Sequence, residues 1–258
     1  MTHDQATRSN EAGSELHMHV VADYAEVSRM AADVITRVVQ ENPEAAITLP
    51  TGETPRGMYQ ELVRRIQDGV LDFSRVQFFC LDEYWGKGVD DETSLTAWLD
   101  DVFLRPAGLD SDHVHFVPSL ALDPVEGAAA YEQEIERHGG LRLAVVGLGP
   151  NGHIGFNEPG SPVDSRTRVL ELTKQSRNQN AAYYDGESSI PDKAMTMGIA
   201  TILDADLIVL IVSGASKADI LKATLEGPIT AHVPGSFLRT VGERLIAIVD
   251  QEAASKLS

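Results

Sequence analysis

The stretch LRLAVVGLGPNGHIGFNEPG, residues 141–160, decides how this chain is read. An apolar run ends in Gly147, Gly149 and Gly152, the G-x-G-x-x-G spacing of a dinucleotide-binding turn. Such a turn needs a long helix after its last glycine, because the helix N-terminus receives the pyrophosphate. Pro159 and Pro162 would break that helix, and the residues after Gly152 lack helical apolar spacing. Glu171 stands at the right distance for a ribose contact, but no helix places it there. The loop offers something else. Its glycines let backbone approach a ligand closely, and Asn151, His153, Asn157 and Glu158 cluster around them. An imidazole between an amide and a carboxylate is a tunable acid/base near neutral pH. The same residues in a structural turn would only satisfy backbone groups.

Outward from this loop, short apolar runs alternate with helical segments, the rhythm of a mainly parallel sheet covered on both faces. Strands are expected at HMHVVAD, AAITLP, VQFFCL, HVHFVP, LRLAVVGLG, RVLELT, LIVLIVSG and RLIAIVD. Helices are expected through VSRMAADVITRVVQ, RGMYQELVRRIQDG, SLTAWLDDVFL, VEGAAAYEQEIERHGG and SKADILKATLEG, with a polar helical stretch near KQSRNQNAAYY. Thr54 can cap the second of these helices, with Pro55 in its first turn. The unusual residues fall in TGETP, DEYWG, GLGPNGHIGFNEP and SGASK, each just beyond a strand. In an open parallel sheet those ends form one crevice, where ligands bind.

Composition sets the outer bounds. The 258 residues carry a formal net charge of −18, which argues against nucleic acid or an anionic membrane as partner. A single cysteine, Cys80, excludes an internal disulfide framework and fits a reducing compartment. No apolar run approaches the roughly 20 residues that span a bilayer. Residues 1–16 read as a polar tail rather than a signal peptide, and residues 17–258 as one α/β domain. A cytoplasmic location is the expectation.

Asp82 follows a wholly apolar strand, so partial desolvation should raise its pKa toward that of a working base. A turn former for DEYWG is the plainer reading, and its neighbour Glu83 is read as solvated or supporting. The turn LPTGETP has the layout of an anion cradle opening into a helix but lacks nucleotide P-loop spacing, so a smaller phosphate suits it. Lys217 in SGASK supplies a point charge near another helix start. His17/His19 and His113/His115 have the i, i+2 spacing of a strand face, but no Cys, Asp or Glu partner for a metal is evident. Trp85 and Trp98 read as packing residues, with Trp85 bordering the site loop, and Cys80 as inert.

Taken in order, LPTGETP, LDEYWG, GLGPNGHIGFNEPGS, SRTRV, AMTMGIATILDA and SGASKA resemble the glucosamine-6-phosphate deaminase family, also called the isomerase. The likeness runs from about the second strand to the C-terminal strand, and GHIGFNEP is its most specific part. The resemblance implies a modified Rossmann-like α/β sheet, similar to the ribose-5-phosphate isomerase and coenzyme A transferase fold. It implies a cofactor-free reaction that opens glucosamine 6-phosphate, isomerises it from aldose to ketose and releases ammonia and fructose 6-phosphate. By match of motif, His153 would move the ring-oxygen proton, Asp82 would take the C2 proton and return one to C1, and Glu158 would orient His153. Thr51, Gly52, Thr54 and Lys217 match the family's phosphate pocket, and Gly149 would bring backbone against the sugar. A small sugar phosphate is thus the expected partner, and a homo-oligomer is one of the states the family allows.

Three positions depart from the family pattern. Asn151 stands where some members have aspartate; an amide cannot share the imidazole's charge, so His153 should be less basic. Glu53 stands where glycine is frequent and should point to solvent, leaving its backbone N–H at the phosphate. Ala182 replaces a phosphate-binding arginine, which Arg166, Arg168 or Arg177 would have to replace from a lid-like segment around 161–186. Two rival readings remain: a lactone hydrolase acting on 6-phosphogluconolactone, and a non-catalytic sugar-phosphate sensor.

Overall fold

Runs such as Ile208–Val212 are apolar at every position because both faces of their sheet are covered. The computed structural model describes residues 8–9, 15–173 and 191–258. Its large sheet contains β1 (Arg8–Ser9), β2 (Glu15–Val21), β3 (Ala46–Leu49), β4 (Gln77–Cys80), β6 (Val114–His115), β7 (Leu143–Gly147), β10 (Ile208–Val212) and β11 (Leu245–Asp250). The spatial order is β1-β2-β11-β10-β7-β3-β4-β6, with β1 antiparallel to β2 and every other pair parallel.

Alternate side chains of these strands enter two separate cores. Ile47, Val145, Val209 and Ile211 face α1 (Tyr24–Glu41) and α2 (Arg56–Gln67) through Ile35, Tyr59 and Leu62. Ala144, Val146, Leu210 and Val212 pack with Tyr131 of α5 (Pro124–Arg137), Ile202 of α6 (Ile199–Leu203) and Leu221 of α7 (Ala218–Leu225). Each fully buried aliphatic chain is worth about 1.5–3 kcal/mol. Differences in intrinsic propensity, a few tenths each, cannot compete with that. Among the described residues no helix is long and apolar enough to cross a membrane.

Several sequence expectations shift. Thr54 does not cap α2: the capping position is Pro55, with no side-chain hydrogen bond, and Thr54 faces a cavity instead. The segment SLTAWLDDVFL splits into α3 (Leu95–Leu99), a π-helical turn at Asp100–Leu104 and the short α4 (Arg105–Ala107). HVHFVP pairs over two residues only, at the sheet edge, after a 3₁₀ turn. Arg8–Ser9 pair with β2, which begins at Glu15, inside the stretch read as tail. KQSRNQNAAYY lies outside the described residues, as do Arg177 and Ala182.

The largest surprise follows VQFFCL. Asp82–Tyr84 form β5 in a second, antiparallel sheet with β9 (Lys193–Thr196) and β8 (Arg168–Glu171), in the order β5-β9-β8. Leu81 already accepts from the Met197 N–H, and Asp82 pairs with Thr196. The small sheet thus supplies backbone partners at the point where β4 leaves the large one.

Candidate active site

The loops after β3, β4, β7 and β10 converge on one cavity of about 280 Å³. Thr51, Gly52, Thr54, Asp82, Gly149, His153 and Lys217 all line it. Thr51 and Lys217, 166 residues apart, meet only because four parallel strands end on the same side. Gly52 has φ +109°, which glycine alone adopts easily, and this turns the chain after Thr51 along the cavity wall toward α2.

The His153 loop is a relay. The Asn151 amide NH₂ donates to Glu158 Oε2 at 2.7 Å. A carboxylate accepts there, so the Asn151 carbonyl oxygen is turned to the histidine and receives Nδ1–H at 2.7 Å and the backbone N–H at 3.2 Å. The proton therefore sits on Nδ1, and Nε2 keeps its lone pair. Glu158 Oε2 is 3.8 Å from Nδ1 and acts on the ring through the amide. Burial holds the imidazole below its ordinary pKa; Glu158 works against this, and the Lys217 cation adds to it. Nε2 abuts Gly149, where any Cβ would overlap the ring. Lys217 donates from Nζ to the Leu148 carbonyl at 2.7 Å, which fixes the ammonium beside the same loop. Burial lowers its pKa. Behind it, Asp250 accepts from Ser213 Oγ and from the Gly214 N–H, anchoring the turn that carries the lysine.

Asp82 is buried, and its Oδ1 has no hydrogen-bond partner. Burial, then the neighbouring Glu83 charge, raises its pKa to about 8. Of the two sequence readings of Glu83, solvated or supporting, the structure bears out the second. Glu83 is fully buried and accepts from the backbone N–H groups of Tyr84, Leu95 and Thr96 at 2.7, 3.0 and 2.7 Å, which ties β5 to the start of α3. Burial raises its pKa, while those hydrogen bonds hold it down. One of two adjacent acids is thus fully engaged and the other faces the cavity unpartnered. Their positions on opposite sides of a short strand divide the roles.

The Glu53 side chain is 62% exposed and paired with Arg56 at 3.1 Å, so its carboxylate is occupied at the rim. Arg166 pairs with Asp204 and Glu132, and Arg168 donates to Asn157 Oδ1 and Ser161 Oγ. Neither arginine lines the cavity. Trp98 packs against one core, as read, and also lines the cavity together with Tyr84 and Phe156, while Trp85 packs against the other core. The Arg56 guanidinium lies 5.1 Å over the Trp98 ring. The signal for Trp98 was tertiary: only the turn from β5 back to α3 brings it near the glycine loops. Cys80 is buried, and burial pushes its thiol well above the usual value.

The family described as glucosamine-6-phosphate isomerases/6-phosphogluconolactonase matches residues 21–247. A glucosamine-6-phosphate deaminase of Cellvibrio japonicus is 39% identical over 239 residues, 93% of this chain and 90% of that one. One of Hahella chejuensis is 41% identical, covering 92% of this chain and 91% of its own. A solved structure of a monomeric glucosamine-6-phosphate deaminase superposes with a TM-score of 0.89 at 36% identity, over 93% of this chain and 99% of that one. The 6-phosphogluconolactonase of Trypanosoma brucei shares the fold, with a TM-score of 0.72 at 20% identity over 95% of this chain and 100% of its own.

Proposed function

The chain belongs to the glucosamine-6-phosphate isomerase/6-phosphogluconolactonase family, and from that membership we propose that its cavity converts glucosamine 6-phosphate to fructose 6-phosphate and ammonia. The observation that supports this reading most is the meeting of His153 and Asp82 on one cavity from loops far apart in sequence.

Each proton transfer by the protein draws on a group that lines the cavity. Neutral His153 presents the Nε2 lone pair, suited to take the C1 hydroxyl proton and return it to the ring oxygen as the pyranose opens. The resulting aldehyde acidifies the C2–H. Ionised Asp82 removes that proton, and the electron pair passes through C2–C1 onto the carbonyl oxygen, which takes a proton from the C2 ammonium group to give an enolamine. Asp82, now a neutral acid, delivers the proton to C1, leaving a ketimine at C2. Water adds there and ammonia leaves. The transfers require only protons and water, so side chains suffice. Lys217 and the backbone of residues 51–54 hold the phosphate in this reading. The protein acts in the cytoplasm, on a small anion that local cations attract despite the overall negative charge.

Incubating the purified protein with glucosamine 6-phosphate should release ammonia, and its Michaelis constant should lie far below that for unphosphorylated glucosamine. Equal constants for the two sugars would remove the phosphate pocket. Hydrolysis of 6-phosphogluconolactone without ammonia release would favour the lactonase reading, and binding without turnover the sensor.

A further inference from the structure

His115 of β6 takes no part in the reaction above. In sequence the His113/His115 pair lacks a carboxylate partner; the fold gives His115 one. Glu134 and His138 stand four residues apart on α5, so they share a helix face, and the edge strand β6 brings His115 against them. One ligand atom each from His115, Glu134 and His138 lies within 4.8 Å of the others, and this is the one such trio among the described residues. We propose that these three residues bind a divalent transition-metal ion of the zinc class, which clamps the edge strand β6 to α5.

The donor set decides the class of ion. Two imidazoles and one carboxylate suit borderline ions such as Zn²⁺, whereas Mg²⁺ and Ca²⁺ favour oxygen ligands throughout. Tetrahedral bonds of about 2.0–2.1 Å place donors roughly 3.4 Å apart, so closure from 4.8 Å needs shifts of about 1 Å, within reach of side-chain rotation. The ligands are already half-ordered. Gln77 Oε1 lies 2.9 Å from His115 Nε2, Phe79 stacks on the His115 ring at 4.2 Å, and His138 Nε2 lies 3.1 Å from Glu134 Oε1. The two imidazole rings are 5.2 Å apart. All three residues are partly exposed, which leaves an entry path and room for a water in the fourth position. The clamp has a purpose where it sits. β6 pairs over two residues at the end of the sheet and has little backbone bonding of its own to hold it. One helical turn before Glu134, Tyr131 donates to the Cys80 carbonyl at 2.6 Å, two residues from Asp82.

Titration of the full chain with zinc chloride in a calorimeter tests this. One site per chain with low-micromolar affinity is expected, together with a zinc-dependent rise in Tm. His115→Gln and His138→Gln should each weaken binding by about 100-fold, whereas His17→Gln should leave it unchanged. Should a variant fail to fold, the imidazole NMR signals of the unaltered protein give the answer: those of His115 and His138 should move together up to one equivalent of zinc. Absence of binding, equal affinity in the variants, or a shift confined to His153 would overturn the assignment.

Discussion

Asp82→Asn is expected to lower kcat for ammonia release by about a thousandfold while leaving sugar-phosphate binding within about twofold. The substitution keeps the shape of the side chain and removes only its ability to take a proton. No other described group supplies that ability at the same place: Glu83 is committed to three backbone N–H groups, and His153 is held at Nδ1 by Asn151. With a pKa of about 8, Asp82 is ionised in about one molecule in ten at pH 7. The kcat/KM of the unaltered enzyme should therefore climb about tenfold between pH 7 and pH 9 as the base ionises. The same shift has a consequence for stability. Folding raises this pKa above its unfolded value, so the contribution of Asp82 to stability is full below about pH 4 and is lost as pH rises toward 8. An asparagine carries no such loss. The inactive variant should be the more stable protein at pH 8–9, by a margin that widens as pH rises through 8, and thermal unfolding of both proteins across that range measures it. Unchanged turnover would remove Asp82 from the role of base, and a variant less stable at alkaline pH would contradict its raised pKa.

Gly149→Ala should cost about a hundredfold or more in kcat with little change in the fold. Gly149 is not needed here for an unusual backbone angle. It is needed because His153 Nε2, Cδ2 and Cε1 occupy the place a Cβ would take. The ring cannot simply lean away. Asn151 holds it at Nδ1, and Glu158 fixes that amide in turn. The imidazole must leave its hydrogen bond or the loop must move, and either displaces Nε2 from the sugar. Substrate turnover alongside a thermal melt distinguishes loss of geometry from loss of fold. Full activity in Gly149→Ala would mean that Nε2 in this position does not matter.

The parallel sheet was legible because strands covered on both faces are apolar throughout, as in Ile208–Val212, and because helices separate them. The site loops were legible for a related reason: parallel strands end on one side, so unusual residues after each end must meet. Their direction was not. That Asp82 and Glu83 would diverge, one unpartnered and one capping α3, depends on β5 joining a second sheet whose partner strand lies more than a hundred residues on. The place of Trp98 in the cavity wall depends on the same turn. Thr54 misled because its residue type favours a helix cap, but α2 starts two residues later, beyond Pro55. The partnership of His115 with Glu134 and His138 was likewise invisible, since strand spacing carries no information about which helix lies across it.

In this mechanism a single carboxylate works on one face of an aminosugar phosphate. Turnover of glucosamine 6-phosphate in deuterium oxide tests it. Equal amounts of ammonia and fructose 6-phosphate should form, and whatever deuterium enters C1 should occupy one of its two hydrogen positions, as read by proton NMR. Deuterium spread over both positions, or consumption of the sugar without ammonia, would contradict it.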